Sequence, residues 1–480
     1  MNFELLRSPL HFLRATAPEL ARAEWPQEYQ SWWEGEGRRI SEDVDRGGTP
    51  WLRMFDRTGR RVDEILYPAE YWRMLHEGYR AGVLWRAFDE KSLVPAYLNI
   101  YMTSFFDPGL ACPYTVSLST LLPLSKYGDP EIQARFLPKL LQADGKGWQG
   151  ATWMTEIKGG SDLGAAVETI ARPSGQAWRL TGDKYFASNA GAEVAVVAAR
   201  PEGAPRNVRG LALFAVPRYR ENSELNYFIR RLKDKIATRS VPTGEIELRD
   251  SEAWLLGERE AGVYLILEVL NVSRVANSVG SVGLALRAMS DALGYAEQRC
   301  AFGKPILQHA LLKWQFEDRV EQLRAASRLA WEAVALLTEI WQEKPPYSER
   351  YHLFRLVAHL AKYWTAEFAV QTAKWAMEVY GGLGSLAEFQ VERWLREAMI
   401  LAIWEGTSHR QILDGMEVME RKRAHRLLFE HLGRNAESEE MERRIERQLS
   451  LPQEEKEATA EPLFDDLAAF TATSLLRNAR

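Results

Sequence analysis

With 480 residues, 46% hydrophobic and 26% charged, the chain can bury large cores in two or three domains. Its 61 basic and 66 acidic residues are intermixed and leave a formal charge of -5, so no global field draws it to nucleic acid or anionic lipid. Only Cys112 and Cys300 occur, far apart, which argues against a disulfide framework, zinc or an iron–sulfur cluster and for a reducing cytosol; no apolar run approaches the roughly 18 residues of a membrane span.

Residues 1–50 carry Pro9, Pro18, Pro26 and a glycine-rich stretch from Gly35 to Gly48, and read as an irregular, partly helical lead-in without a signal peptide. An all-helical first domain is expected over 51–147. Its helical texture runs from Pro68 to about Leu141, breaks at Asp107-Pro108-Gly109, and includes a helix opened by Pro130 and closed before Pro138. From 148 to 257 the apolar residues come in short runs, at 194–199 and 211–216, or alternate as in Glu245-Ile246-Glu247-Leu248, which predicts a middle β domain.

Over 258–428 the period turns helical again. Val275, Val279, Val282, Leu286, Met289, Leu293 and Ala296 form one apolar stripe, and helices predicted near 311–337, 351–380 and 391–403 supply its partners in an antiparallel four-helix bundle. Gly280, Ser281 and Gly283 permit close approach on the striped helix. The last segment, 429–480, is charged, with one short amphipathic stretch at 462–476, and is expected to be a partly ordered tail. The fold class is α+β, multidomain.

Late in the bundle, Leu401-Ala402-Ile403-Trp404-Glu405-Gly406-Thr407-Ser408-His409-Arg410 ends an apolar helix on a single acid beside a glycine. A carboxylate against Trp404 and Ile403 loses hydration, which raises its pKa and makes it a usable base near neutral pH. Taken alone, the stretch reads more readily with Glu405 as a cap for the next helix.

Four further stretches join it: Trp153-Met154-Thr155-Glu156-Ile157-Lys158-Gly159-Gly160-Ser161-Asp162, Lys184-Tyr185-Phe186-Ala187-Ser188-Asn189, Arg299-Cys300-Ala301-Phe302-Gly303, and Glu378-Val379-Tyr380-Gly381-Gly382-Leu383-Gly384. Each alone also reads as an ordinary turn, strand or helix end. Together, in the order helical, β, helical bundle, they resemble the acyl-CoA dehydrogenase family over about residues 85–422. The resemblance implies that family's fold: an N-terminal helical domain, a middle β domain and a C-terminal four-helix bundle.

It also implies bound FAD. Thr155 and Ser161 then reach polar edges of the flavin, while Phe186 lies along its ring, where the family often has Trp, and Ser188 stands where Thr is common. Arg299 reaches the pyrophosphate of a flavin held mainly by a neighbouring subunit, with Phe302 near its adenosine half; a guanidinium suits phosphate because its donors are planar and paired. Glu378 stands where many relatives carry Gln, and Gly381 and Gly382 pass the diphosphate.

By the same resemblance Glu405 is the catalytic base, since the family's other position for it reads Val272-Ser273-Arg274-Val275 here, without an acid. Arg274 orders the substrate pocket, and Thr407 and His409 approach the flavin, His409 standing where Gln is common. The implied reaction is α,β-dehydrogenation of an acyl-CoA thioester to trans-2-enoyl-CoA, with hydride passing to flavin N5 and an electron-transfer flavoprotein as acceptor. A homotetramer or homodimer is implied as well.

The stretches Asp56-Arg57-Thr58-Gly59-Arg60-Arg61-Val62-Asp63 and Arg231-Leu232-Lys233-Asp234-Lys235-Ile236-Ala237-Thr238-Arg239-Ser240 are similar to the AidB-like branch, associated with the response to DNA alkylation. That branch offers an alternative: a flavoprotein that binds DNA through the run Arg421-Lys422-Arg423-Ala424-His425-Arg426, with little acyl-CoA turnover. Glu417, Glu420 and Glu430 around the run favour a solvated helix face instead. A nitro-compound oxidase would use Asp as base, and this chain has Glu405.

Overall fold

The computed structural model describes residues 3–478; Met1, Asn2, Ala479 and Arg480, at the ends of the expected lead-in and tail, lie outside them. By contact the chain divides into two compact units. One comprises Met1–Gln30, Tyr101–Phe106 and Arg274–Arg480, the other Ser31–Ile100 and Asp107–Ser273.

The second unit opens with a helix at Arg38–Gly47 and then a feature the all-helical expectation missed, a hairpin of Trp51–Phe55 and Arg61–Leu66. Asp56 nucleates its turn: Oδ1 accepts from the N–H groups of Thr58 at 2.8 Å and Arg60 at 3.0 Å. Asp63 docks the hairpin on the middle sheet by accepting the Ile229 N–H at 2.8 Å and Arg61 Nε at 3.0 Å. Helices Tyr71–Ala81, Ala111–Tyr127 and Pro130–Leu140 follow, the last capped by Asp129 and carrying Pro138 within its final turn instead of ending before it.

The middle domain is a seven-stranded sheet. Val194–Pro201 pairs with Ala212–Pro217, which pairs with Thr243–Leu256, then Ala177–Ser188, then Ile170–Ser174, which returns to Val194–Pro201. The circuit closes on itself, so alternate side chains point inward. Trp153, Leu180, Val197, Phe214, Tyr227 and Ile246 fill the interior. The run at 194–199 and the alternating stretch fall within these strands, and the run at 211–216 does so from Ala212 onward.

In the first unit the striped helix is longer than its stripe, Gly262–Gln298, with its first part in the second unit. Helices Ala310–Ile340, Glu349–Tyr380, Val391–Ile403 and Ser408–Lys422 pack around Glu349–Tyr380, which touches each of the other three. Among the described residues the expected partly ordered tail is instead built from helices: Ala424–Leu432, Ala436–Leu449, Gln453–Ala458 and Ala460–Asn478. Its charges hide an amphipathic pattern, because Leu463, Phe464, Leu467, Ala468 and Thr471 share one buried face. No helix among the described residues is long and apolar enough to cross a membrane.

Two glycines of the long helix differ in surroundings. A Cβ on Gly283 would lie 2.4 Å from the Tyr101 carbonyl oxygen, whereas one on Gly294 would meet nothing within 4 Å. Gly283→Ala should therefore destabilise by about 1–3 kcal/mol through overpacking. Gly294→Ala should stabilise by about 0.5–1 kcal/mol through helix propensity. Denaturant midpoints of the two variants, moving in opposite directions, check this close approach.

Candidate active site

The Val391–Ile403 helix stops where the Trp404 N–H bonds the Ile400 carbonyl at 2.9 Å. Two left-handed residues follow, Glu405 at φ 59° and Gly406 at φ 99°. Thr407 occupies the N-cap position of Ser408–Lys422. Glu405 is therefore outside the next helix and does not cap it. Gly406 takes its positive φ at no steric cost; for Glu405 the same geometry is strained and must be held from outside.

Side chains from three helices hold it. Arg274 Nε donates to the Glu405 carbonyl at 3.1 Å, and Gln411 Nε2 donates to the carbonyls of Glu405 and Gly406, both at 2.9 Å. Lys362 Nζ reaches the Gly406 and Ala402 carbonyls, also at 2.9 Å. Behind them, Gln411 Oε1 meets His359 Nδ1 at 2.9 Å, and Arg274 pairs with Asp414 at 3.3 Å.

The Glu405 carboxyl itself has no hydrogen bond or ion pair to any described residue. Loss of hydration pushes its pKa up to about 7, against the opposing pull of Arg274 and then Lys362. Part of its surface reaches solvent, so the carboxyl is dehydrated yet accessible. Burial likewise pushes Lys362 down to about 7 and His359 down to about 3. His359 is neutral near pH 7, and because its Nδ1 faces the Gln411 amide oxygen, which can only accept, Nδ1 carries the proton and donates. That orientation turns the Gln411 amide nitrogen toward the two carbonyls.

Of the residues singled out from sequence, Arg274 and Glu405 are brought together, with Thr407 half-buried and His409 exposed two and four positions on. At the alternative position for the base, the Ser273 hydroxyl bonds Ser119 at 2.8 Å and no acid is present. Arg299, Phe302, Glu378, Gly381 and Gly382 lie toward the opposite ends of their helices, joined where Tyr295 stacks on Tyr380 at 4.3 Å. There Phe302 is 97% exposed, Arg299 is exposed, and Glu378 pairs with Lys374 at 2.5 Å.

Thr155, Ser161, Phe186 and Ser188 belong to the other unit. The turn at 155–162 is anchored by buried Glu156, which accepts from Lys184 Nζ, Thr169 Oγ1 and the Glu168 N–H at 2.6–2.7 Å. Ser161 is exposed and Thr155 half-buried. Phe186 is 57% exposed on its strand, with Lys233 Nζ 4.9 Å from its ring, and the Ser188 carbonyl accepts from Trp153 Nε1 at 3.0 Å.

Taken each by itself, the two units carry surfaces with features that suit parts of a flavin dinucleotide. An aromatic face stands exposed on Phe186, Cβ positions on Gly381 and Gly382 would meet nothing within 4 Å, and the Arg299 guanidinium has no partner among the described residues. Sequence reading missed Lys362, His359, Gln411 and Asp414. The available signal was a charged and a polar side chain at i, i+3 inside an apolar helix.

The basic run ending at Arg426 is largely taken up by acids. Arg421 pairs with Glu417 at 3.0 Å, Arg423 with Glu446 at 2.9 Å, and Arg426 with Glu446 at 2.8 Å and Glu442 at 3.2 Å. His425, Glu442 and Glu446 bring ligand atoms within 4.8 Å of one another, but arginines already hold both carboxylates. This face offers phosphate little unpaired charge.

Comparison with known proteins places three family models on the chain: the AidB N-terminal domain of adaptive response proteins over residues 15–144, the acyl-CoA dehydrogenase middle domain over 151–251, and the acyl-CoA dehydrogenase C-terminal domain over 260–420. Acyl-CoA dehydrogenase family member 11 of Caenorhabditis elegans is 30% identical over 413 residues, which are 80% of this chain and 66% of that protein, just under two thirds of its length. AidB of Escherichia coli is 28% identical over 427 residues, 85% of this chain and 76% of that protein. A crystal structure of C. elegans ACDH-11 with C11-CoA has the same fold, with a TM-score of 0.82 at 24% identity over 99% of this chain and 85% of that one.

The raised pKa of Glu405 carries a stability consequence. Below about pH 4.5 the carboxyl is protonated in both folded and unfolded chains and costs nothing. Between 4.5 and about 7 the unfolded chain ionises while the folded one keeps its proton, so stability falls, and above 7 the full penalty remains. Glu405→Gln should accordingly gain stability over the parent across that window and plateau above it, by no more than about 3 kcal/mol because some of the side chain stays hydrated. Denaturant unfolding at pH 4.5, 6 and 8 measures the difference.

Proposed function

Because the chain belongs to the acyl-CoA dehydrogenase family, we propose that it is an FAD-dependent oxidoreductase converting an acyl-CoA thioester to its trans-2-enoyl-CoA, with Glu405 removing the α proton. The observation that carries this reading is the bare, dehydrated carboxylate on a clamped turn, with a pKa of about 7 that suits general-base work near neutral pH.

FAD, when bound, supplies the acceptor for the hydride that leaves the β carbon. The rest falls to the chain. The Glu405 N–H has no acceptor among the described residues, so it can donate to the thioester carbonyl as negative charge develops there. Arg274 and Gln411 keep that N–H and the carboxylate in a fixed relation by holding the Glu405 carbonyl. The carboxylate accepts the α proton and is then neutral, a state its surroundings tolerate.

Helix length supports the assembly in this reading. From Arg274 to Gln298 the helix rises roughly 36 Å at 1.5 Å per residue, so Arg299 stands far from the Glu405 turn of its own chain. Its unpartnered guanidinium and the exposed Phe302 are suited to the cofactor of a second copy, in a homodimer or homotetramer. The C. elegans structure, a complex with C11-CoA, supports an acyl-CoA substrate. An electron-transfer flavoprotein as acceptor, a place in fatty acid metabolism and a cytoplasmic location complete the reading, the last resting on the two free cysteines.

Anaerobic mixing with straight, branched and aromatic acyl-CoAs should bleach the flavin with at least one of them. In Glu405→Gln the flavin should stay bound and bleaching should slow by a factor of about 10² to 10⁴; a variant as fast as the parent rules Glu405 out as the base. Arg299→Ala should lose flavin and dissociate together, read from absorbance and sedimentation, while the backbone at Glu405 is untouched.

A further inference from the structure

Lys362 has no part in the reaction outlined above, and its burial needs a reason. It sits inside the Glu349–Tyr380 helix at 0% exposure and forms no ion pair with any described residue. Taking an ammonium out of water costs several kcal/mol, and two carbonyls could be satisfied by a neutral amide donor. A cation there implies a use for the charge.

The two carbonyls it binds bracket the base. Ala402 lies in the last turn of its helix, where carbonyls lack helical partners, and Gly406 closes the left-handed pair. One ammonium thus ties the chain on both sides of Glu405.

We infer that Lys362 is a positioning residue for the base, pinning the Glu405–Gly406 turn from both sides and setting a positive charge near enough to favour the carboxylate form. The inference rests on Glu405 being the base, as proposed above.

The other charged groups facing this turn leave the pair to titrate alone. From the long helix Arg274 points in, engaged with Asp414. From the Ser408–Lys422 helix Arg410 also pairs with Asp414. On the helix of Lys362 itself, His359 is held neutral and Glu367 accepts from the Ser408 hydroxyl at 2.6 Å. Near neutral pH the groups that exchange protons are Lys362 and Glu405, each favouring the charged form of the other.

The test uses the full-length, flavin-loaded protein and three substitutions. Lys362→Met removes charge and donors, Lys362→Gln keeps a donor without the charge, and Lys362→Arg keeps both. The first readout needs no substrate: the pH-dependent infrared difference between each variant and the same variant carrying Glu405→Gln isolates the Glu405 carboxyl band. The midpoint should rise by about one unit or more in Lys362→Met and Lys362→Gln and return close to the parent in Lys362→Arg. The second readout is flavin bleaching by the best acyl-CoA against pH, whose acid limb should move up with the midpoint, about tenfold slower one unit below it.

An unmoved midpoint, or a uniform fall in rate with the limb in place, overturns the inference. Should Lys362→Met fail to fold, equal midpoints in the Gln and Arg variants overturn it just as well. If the midpoint moves but no acyl-CoA bleaches the parent flavin, the coupling stands and the dehydrogenase reading falls.

Discussion

A glutamate in left-handed backbone persists only while something outside it holds the turn. The conformation costs on the order of 1–3 kcal/mol, and four hydrogen bonds to the carbonyls of Glu405 and Gly406, two of them from cationic donors, offset that cost. The donors arise on three separate helices. The shape of the turn is thus a property of bundle packing as a whole.

The middle domain buries a glutamate too, with the opposite outcome. Glu156 accepts from Lys184, Thr169 and the Glu168 N–H, so its oxygens are engaged and it serves as an anchor for the 155–162 turn. Glu405 is enclosed but given no donor for its carboxylate. Residue type is the same in both; what separates an anchoring carboxylate from one left free to exchange a proton is how many donors the surroundings point at its oxygens.

This difference also decides what can be read from sequence. The long striped helix, the bundle helices and the strand runs of the middle domain were legible because burial imposes a period on the chain. Glu405 was legible because a lone acid stands between an apolar helix end and a glycine. Lys362 and His359 were not, since each is a single polar residue within an amphipathic pattern and its partners lie 40 to 52 residues away, and Gln411 was not, since its near partners are backbone carbonyls that leave no mark in the sequence. The Trp51–Leu66 hairpin escaped notice because its strands are half exposed and carry no strict alternation. The last segment looked like a tail because glutamate and arginine outnumber the apolar residues over 430–457, although their spacing is helical.

That last segment bears on the site through the helix it covers. Ala460–Asn478 packs against Ala310–Ile340, Glu349–Tyr380 and Ser408–Lys422. Phe464 fills the space over Gly415, where a Cβ would lie 2.4 Å from its ring, and its centroid is 5.4 Å from that of Tyr363, the residue after Lys362. Burying a Phe this way contributes about 1.5–3 kcal/mol. The Lys362 side of the helix meets the Glu405 turn and the Tyr363 side meets Phe464, so adjacent residues of one helix are covered by different elements. Desolvation depresses the pKa of Lys362, and the Glu405 turn that its ammonium holds is the element that covers it.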